Sequence, residues 1–361
     1  QAVFDYYGVQ RVSDMDELAT ALIMFAQTKQ TAEGGLVCLH DSGGERQLII
    51  DLADGLNVPL TELEETTITQ LKSILDPGLP AVNPLDGWGA GGVNASINMA
   101  SCFSILMADP GAAMGAVVHD RGPNSEIYSS YLDYLEKAQR ASGKPVFLVA
   151  NRQGSGADEL AITSTYRGMP VLDGVTQFLV GARCLLAYRD FQRRPLMKCD
   201  VMDEKKVDYW KRQLQDCDDV SESVASDLLS DFGIPMIQSL KVSSQDELHA
   251  AALNVGFPLV LKTAVRGINH KTEVGGVILD ISDQYQLRDA YQDLLQRLGP
   301  AVTVSPMADS SGVEMILGVS RDDQFGPTVV VGFGGIYAEI LSDVAVLLPP
   351  FDAAKVKGYL K

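Results

Sequence analysis

The chain has 361 residues, with 29 Lys and Arg against 47 Asp and Glu, and a formal net charge of -18. Hydrophobic residues make up 46% of the sequence and charged residues 21%, which is ordinary for folded domains and excludes a disordered or collagen-like chain. The negative charge opposes a general affinity for nucleic acid or for an anionic membrane surface. Length predicts two or three domains.

The composition also indicates a soluble, cytoplasmic protein. No stretch approaches the roughly 20 apolar residues that a spanning helix needs, and the first residues lack a basic region followed by an apolar run. The five cysteines are an odd number, widely spaced and without a C-x-x-C pair, so we expect free thiols rather than zinc ligands or disulfides. Because the sequence starts without Met and stops within a helical pattern, we expect a fragment of a longer protein.

Short apolar runs alternate with helix-period segments between residues 35 and 195. The predicted strands are 35–39, 113–118 and 144–150, and the predicted helices are 45–56, 61–75 and 126–141. Strands separated by helices of this length predict βαβ units and a parallel, doubly wound sheet.

A polar, charge-rich passage at 192–219 interrupts this alternation and predicts an interdomain connection. Beyond it the predicted helices are 221–232, a helix between Ser244 and Gly256, and 284–298. The predicted strands are 259–262, 277–281, one near Val302, 313–319 and 328–331. Mixed strands with two covering helices fit an α+β domain.

The first motif is Asp41-Ser42-Gly43-Gly44-Glu45, which follows a predicted strand and opens a predicted helix. Glycines there let the backbone turn tightly and present free amides at a helix N-terminus, where an anion is favoured. The alternative is an ordinary helix start with Ser42 as its cap.

The second motif is the strand that ends in Lys262, followed by the glycine-containing loop that holds His270. A cation at the end of a buried strand is costly without a counter-anion, which favours a phosphate near Lys262. An accessible His270 could accept a phosphoryl group or shuttle a proton. An exposed strand end and a solvated histidine are the alternatives.

The third motif runs from Glu314 through the GFGG loop at 332–335 to Glu339 and Asp343. The last two carboxylates are four residues apart after a glycine loop, and hard oxygen ligands near phosphate are what Mg²⁺ requires. An exposed acidic helix face is the alternative.

Together, HKTEVGGV, FGPTVVVGFGGIYAEILSDVA, FGIP and FPLVLK resemble the ATP-grasp domain of the nucleoside-diphosphate-forming acyl-CoA synthetases. The upstream DSGGE and NPLD segments resemble the flavodoxin-like ligase domain of that family. The resemblance implies an α/β protein in which a flavodoxin-like doubly wound parallel sheet domain precedes an α+β ATP-grasp domain. The expected domains are the tail of a preceding ligase domain at 1–30, the flavodoxin-like CoA-ligase domain at 31–195, a linker at 196–220, and an ATP-grasp domain at 221–361 that is truncated at its C-terminus.

This resemblance implies that an acid, CoA and ATP give acyl-CoA, ADP and phosphate through an acyl phosphate and a phosphohistidine. The roles it implies are ATP binding by Lys262, Glu314, Gly334 and Gly335, Mg²⁺ binding by Glu339 and Asp343, phosphate transfer by His270, and a phosphohistidine site at Ser42, Gly43 and Gly44. CoA would be bound mainly by a domain outside this sequence. The primary phosphohistidine would also lie outside it, because the Ser-His-Thr-Gly motif that contains this histidine is not in the chain. Asp41 also departs from the asparagine of many members, and its charge would repel a nearby phosphate unless it points away.

Residues 83–89 resemble a subgroup that contains feruloyl-CoA synthetase and the ATP-dependent dimethylsulfoniopropionate lyase. Trp88 could stack on an aromatic acid or hold a sulfonium by cation–π attraction, and a packed core tryptophan is the alternative. The other expected substrate residues are Asn83, Asp86 and Glu126. We expect a homo-oligomer acting on a small carboxylic acid; a lyase that works through a CoA thioester and a regulatory module of a protein acyltransferase stay open as alternatives.

Overall fold

The computed structural model describes residues 1–89, 91–120, 128–152, 154, 158–195, 202–215, 220, 222–268, 270–309, 311–335 and 344–359. The chain divides into two compact units, Gln1–Leu196 and Met197–Lys361. Within the described ranges, no helix has both the length and the apolar character needed to cross a membrane. Three of the cysteines, Cys38, Cys102 and Cys184, are buried free thiols, as expected for them.

The first unit is built around a parallel sheet of five strands. The strands are β1 (Gly35–His40), β2 (Leu85–Asp86), β3 (Ala112–His119), β4 (Val146–Ala150) and β5 (Val171–Asp173). Their spatial order is β2-β1-β3-β4-β5, and every neighbouring pair is parallel. This is the flavodoxin-like strand order, so the predicted doubly wound sheet is confirmed.

Helices cover both faces of this sheet. They are α1 (Ala2–Tyr7), α2 (Met15–Gln27), α3 (Gly43–Gly55), α4 (Glu65–Lys72), α5 (Ala95–Ala108), α6 (Tyr128–Ser142), α7 (Glu159–Tyr166) and α8 (Val175–Arg193). Val37 and Leu39 of β1 pack in one apolar cluster with residues of α5 and α6, whereas Leu36 and Cys38 pack in another with residues of α3 and α8. Successive side chains of a strand point to opposite faces, so β1 is buried on both sides.

Helix α2 lies within the segment expected to be the tail of a preceding domain. It packs against α8 of the first unit, where the Phe25 and Tyr188 rings meet edge-on at 5.6 Å between centroids. Residues 15–27 therefore contribute to the same core as the parallel sheet.

The second unit contains two antiparallel sheets, β6-β9-β7-β8 and β10-β11-β12. The strands are β6 (Leu240–Val242), β7 (Leu259–Thr263), β8 (Val277–Ile281), β9 (Val302–Pro306), β10 (Met315–Asp322), β11 (Gly326–Phe333) and β12 (Val344–Leu347). The helices are α9 (Glu204–Gln215), α10 (Glu222–Asp231), α11 (Gln245–Val255), α12 (Gln284–Arg297) and α13 (Ala353–Tyr359). Leu248 of α11 and Leu294 of α12 pack with Leu259 of β7 in one core, which confirms the α+β architecture.

The charge-rich passage at 192–219 contains helix α9, although the sequence pattern indicated only a connection. Trp210 of α9 is buried, and its Nε1 donates to Asp231 Oδ2 of α10 at 2.9 Å. Val207, Trp210 and Leu214 recur at helical spacing, but the many charged residues around them hide this period.

Candidate functional site

The first candidate site lies at the carboxyl edge of the parallel sheet, where β1 and β3 are neighbours. The strand order reverses between these two strands, and ligands of open α/β sheets bind in the crevice at such a switch point. Asp41 follows β1, Asp120 follows β3 and Asn151 follows β4. The topology thus gathers three polar side chains next to the start of α3.

The start of α3 presents exposed backbone. Ser42 is the N-cap residue in an extended conformation, but its side chain makes no capping hydrogen bond. Gly43 and Gly44 are exposed, and the first amides of a helix have no partner within the helix. Ser42 thus takes the cap position of the alternative interpretation, but its hydroxyl makes no capping hydrogen bond to the amides that an anion would use.

Three carboxylates converge behind this helix start. Asp41, Glu45 and Asp120 each offer an oxygen within 4.8 Å of the others. Asp41 Oδ2 accepts from the Tyr131 hydroxyl of α6 at 2.7 Å, and Asn151 Nδ2 donates to Glu45 Oε1. Burial, followed by the charge of Asp41, raises the pKa of Glu45 to about 8.

Sequence reasoning named Asp41 and the DSGGE motif but missed this cluster. The available signal was a polar residue directly after each of three strands, at 41, 120 and 151. In a parallel sheet those positions share one edge, yet their pairing depends on the strand order, which a single sequence does not state.

Two buried histidines end β1 and β3 at the same edge. Burial lowers the pKa of His40 to about 3, so its ring is neutral near pH 7. The ring of His119 is fully buried and lies 5.0 Å from the Tyr131 ring, centroid to centroid. Neither side chain is accessible to solvent, unlike a phosphoryl acceptor on a moving loop.

The end of β2 and the loop after it bring two expected substrate residues to this edge. Asp86 Oδ2 lies 3.4 Å from where a side chain on Gly43 would begin, and Asp86 Oδ1 accepts from Trp88 N at 3.3 Å. The Trp88 side chain is partly buried against the apolar cluster of α5 and α6. Trp88 therefore packs against the core and also lies next to Asp86, which is near the start of α3.

Asn83 is fully engaged with backbone groups of the sheet. Its Oδ1 accepts from Cys38 N at 2.9 Å, and its Nδ2 donates to the carbonyls of Leu36 at 2.8 Å and Thr61 at 3.0 Å. These bonds give Asn83 a structural role in holding the loop that carries Asp86 and Trp88.

The second candidate site is an open cavity of about 550 Å³ in the second unit. Its lining includes Lys262 at the end of β7, His270 and Lys271 of the loop between β7 and β8, and Glu222 at the start of α10. Lys271 Nζ pairs with Glu222 Oε2, and this hydrogen bond lowers the pKa of Glu222. Two lysines and an exposed imidazole thus border one cavity together with the carboxylates of Glu222 and Glu273, and the lysines are the groups that could contact an anionic ligand.

The loop that carries His270 is held by its own glycines. Gly276 N donates to Lys271 O at 2.7 Å, and Thr263 N donates to Gly276 O at 2.7 Å. A side chain on Gly276 would come within 2.6 Å of Thr263 Cγ2 and 3.0 Å of Lys271 O. His270 itself is largely exposed, with its Nδ1 3.7 Å from Glu273 Oε1.

Glu314, Gly334 and Gly335 meet where β10 begins and β11 ends. Gly334 N donates to Glu314 O at 2.8 Å, and a side chain on Gly335, which has φ of 61°, would collide with the Glu314 carboxylate. The structure therefore places these three residues together. Glu126, Glu339 and Asp343 lie outside the described residues.

Comparisons with known proteins show a family match in the second unit and sequence similarity along most of the chain. A family model for the ATP-grasp domain matches residues 215–361. A trans-feruloyl-CoA synthase of an unknown prokaryotic organism is 27% identical over 97% of this chain and 50% of its own length. An ADP-forming acetate–CoA ligase of Archaeoglobus fulgidus is 27% identical over 97% of this chain and 51% of its own length.

The chain therefore spans about half the length of these curated relatives. A solved acetyl-coenzyme A synthetase of Ca. Korarchaeum cryptofilum, in complex with coenzyme A, covers 44% of this chain and 71% of its own, with 28% identity and a TM-score of 0.38. Residues 215–361 thus match the ATP-grasp domain, and 97% of the chain is similar in sequence to acyl-CoA synthetases that include an ADP-forming acetate–CoA ligase.

Proposed function

We propose that this chain is part of an acid–CoA ligase that converts a carboxylic acid, CoA and ATP into acyl-CoA, ADP and phosphate. The observation that carries the proposal is the cavity of the second unit, in which Lys262, Lys271 and His270 border one space within the ATP-grasp match. The reaction passes through an acyl phosphate and a phosphohistidine.

In this proposal Lys262 and Lys271 neutralise the phosphates of ATP. Phosphoryl transfer depends mainly on positioning and charge neutralisation, and an acidic chain of net charge -18 needs such local cations to hold a triphosphate. Lys271 forms an ion pair with Glu222 in the structure. A phosphate oxygen of the nucleotide would therefore replace the Glu222 carboxylate as the partner of Lys271. Glu314, Gly334 and Gly335 form a further part of the nucleotide pocket.

The proposed role of His270 is to accept the phosphoryl group and carry it away from the nucleotide. Its side chain is 79% exposed, so an imidazole nitrogen can approach a phosphate without breaking core packing. Glu339 and Asp343 would hold Mg²⁺ through carboxylate oxygens.

The acyl site is proposed at the carboxyl edge of the parallel sheet. The exposed amides of Gly43 and Gly44 would receive the phosphoryl oxygens, with Ser42 beside them. Asp86 and Trp88 would border the carboxylic acid, and Glu126 is proposed to complete this pocket. The trans-feruloyl-CoA synthase among the relatives supports an aromatic acid as one substrate to test.

The test is an assay of ADP, phosphate and acyl-CoA formation by the protein in its full natural length. We expect ADP formation to require both CoA and an acid, and Lys262→Met to lower kcat/KM for ATP by about tenfold to a hundredfold, because a charge-assisted contact is worth about 1.5–3 kcal/mol.

Lys241→Met is the matched control, since Lys241 is an exposed lysine on β6 of the same sheet. Equal loss of activity in both variants would contradict the nucleotide role of Lys262. Release of dimethyl sulfide from dimethylsulfoniopropionate, without accumulation of an acyl-CoA, would contradict the ligase assignment and favour the lyase.

A further inference from the structure

Glu45 occupies a helix position at which glutamate usually accepts a backbone hydrogen bond. In α2, Glu17 N donates to the Asp14 cap at 2.8 Å, and Glu17 Oε2 accepts in return from Ser13 N at 2.5 Å. This reciprocal arrangement is a variant of the capping box, in which the glutamate accepts from the residue before the cap instead of from the cap residue itself. The same box forms at α11, where Glu247 Oε2 accepts from Ser243 N at 2.7 Å.

Ser42 and Glu45 have the spacing of a capping box, but α3 forms neither side-chain bond of it in the part of the chain that the structure describes. The Glu45 carboxyl turns instead toward the carboxyl edge of the sheet, where Asn151 Nδ2 donates to its Oε1. Helices α2 and α11 show that a glutamate at this helix position can form such a hydrogen bond. The Glu45 side chain therefore contacts Asn151 at the carboxyl edge of the sheet and does not cap the start of α3.

The second oxygen of Glu45 lies among carboxylates. Glu45 Oε2 is buried without a hydrogen-bond partner among the described residues, and oxygens of Asp41 and Asp120 lie within 4.8 Å of the glutamate. Two carboxylate oxygens repel each other unless one of them carries a proton, which converts the contact into a hydrogen bond.

The charges that act most on Glu45 are the carboxylates of Asp41 and Asp120, and both raise its pKa. The titratable and charged groups of this edge are His40 and Asp41 at the end of β1, Asp86 at the end of β2, Asp120 after β3, Tyr131 of α6, and Arg46 of α3. The Arg46 Nε donates to Pro84 O at 2.8 Å, and burial keeps His40 neutral near pH 7. Burial and Asp41 raise the pKa of Glu45, whereas the Asn151 hydrogen bond lowers it.

We propose that Glu45 and Asp41 share one proton at neutral pH, so that Glu45 is a positioning residue that presents a neutral carboxyl beside the exposed amides of Gly43 and Gly44. The shared proton removes one negative charge from a loop that would otherwise repel an anion. The identity of that anion, a phosphoryl group, rests on the proposed function. The proton itself does not, so the two can fail separately.

The direct test is a pH titration of glutamate side-chain carboxyls by NMR on the ¹³C-labelled 361-residue chain. We expect one carboxyl to titrate near pH 8, to be absent from Glu45→Gln, and to move toward the ordinary value of 4.5 in Asp41→Asn. A Glu45 carboxyl that titrates near 4.5 in the unsubstituted chain would overturn the proposal. This measurement needs no ligase activity.

Thermal stability gives a second measurement with a defined sign. Because the folded pKa lies above the unfolded value, the folded state binds more protons between about pH 4.5 and pH 8, and Glu45 lowers stability progressively as pH rises through this window. Glu45→Gln keeps a neutral side chain, so its melting temperature should fall less across the window. Glu247→Gln changes the glutamate at the same helix position of α11, and the melting temperature of this variant should fall as much as that of the unsubstituted chain.

A divalent cation is the competing explanation for three converging carboxylates. If MgCl₂ or CaCl₂ at millimolar concentration moved the Glu45 midpoint well below 8, the cluster would hold a cation and the shared proton would be wrong. An unchanged midpoint in the presence of either salt supports the proposal.

Discussion

At the scale of single residues, Gly276 controls the loop that presents His270. A Cβ there would lie 2.6 Å from Thr263 Cγ2 and 3.0 Å from a backbone oxygen, and neither neighbour is the end of a flexible side chain. We expect Gly276→Ala to cost about 1–3 kcal/mol of unfolding free energy, as overpacking of a tight site does, measured by urea unfolding.

Gly312→Ala is the control for that substitution, since a Cβ at Gly312 meets nothing within 4 Å. Its unfolding free energy should stay within about 0.5 kcal/mol of the parent, as surface substitutions do. Comparable losses in both variants would mean that replacing a glycine is costly in itself, and that the contacts at Gly276 do not determine the effect.

The site residues show what a single sequence can and cannot state. Lys262, His270 and the glycines of the two loops could be named as candidates because they stand next to strand ends. The environment of Glu45 could not, because its neighbours Asp120 and Asn151 are brought to it by strand order and not by sequence spacing. The sequence allowed Ser42 to be placed as an N-cap, but it did not indicate that the Ser42 side chain makes no capping hydrogen bond.

At the scale of elements, Asn83 substitutes for strand pairing along β1. Strand β2 pairs with β1 only at Leu39–Leu85 and His40–Asp86, and the Asn83 amide bonds Leu36 and Cys38 beyond that point. We expect Asn83→Ala to cost about 1–3 kcal/mol of unfolding free energy, because buried backbone groups lose their partner.

Thr69→Ala provides the comparison, since the Thr69 hydroxyl makes one exposed bond to the Glu65 carbonyl within α4. Differential scanning calorimetry of both variants measures the effect. A loss for Asn83→Ala no larger than that for Thr69→Ala would show that solvent replaces the amide, and would remove its structural role.

The elements themselves were predictable where one period dominates. The strand at Gly35–His40 and the helix at Gln284–Arg297 lie within one or two residues of their predicted bounds. The predicted helix 61–75 begins only at Glu65, because Pro59 O and Thr61 N bond Leu36 of β1 instead of starting a helix. Helix α9 was missed because charged residues surround its few apolar positions.

At the scale of the whole molecule, each of the two units has its own core and its own candidate site. The first unit has a parallel sheet, and the second has antiparallel sheets. The first unit offers exposed helix amides at a parallel-sheet edge, and the second offers lysines and an accessible imidazole. A net charge of -18 makes both sites depend on local groups rather than on the general field. In the proposed reaction, the phosphoryl group that His270 would receive from ATP links the chemistry of the two sites.

The most direct test is to incubate the full-length protein with ATP labelled at the γ-phosphate and to map the protein-bound label by peptide analysis. We expect label on the peptide that contains His270. This label should be absent from His270→Ala and retained in His249→Ala, because His249 is exposed on α11 of the same unit. Formation of ADP and acyl-CoA at an unchanged rate by His270→Ala, with no label on that peptide in the parent protein, would contradict the proposed phosphoryl transfer through His270.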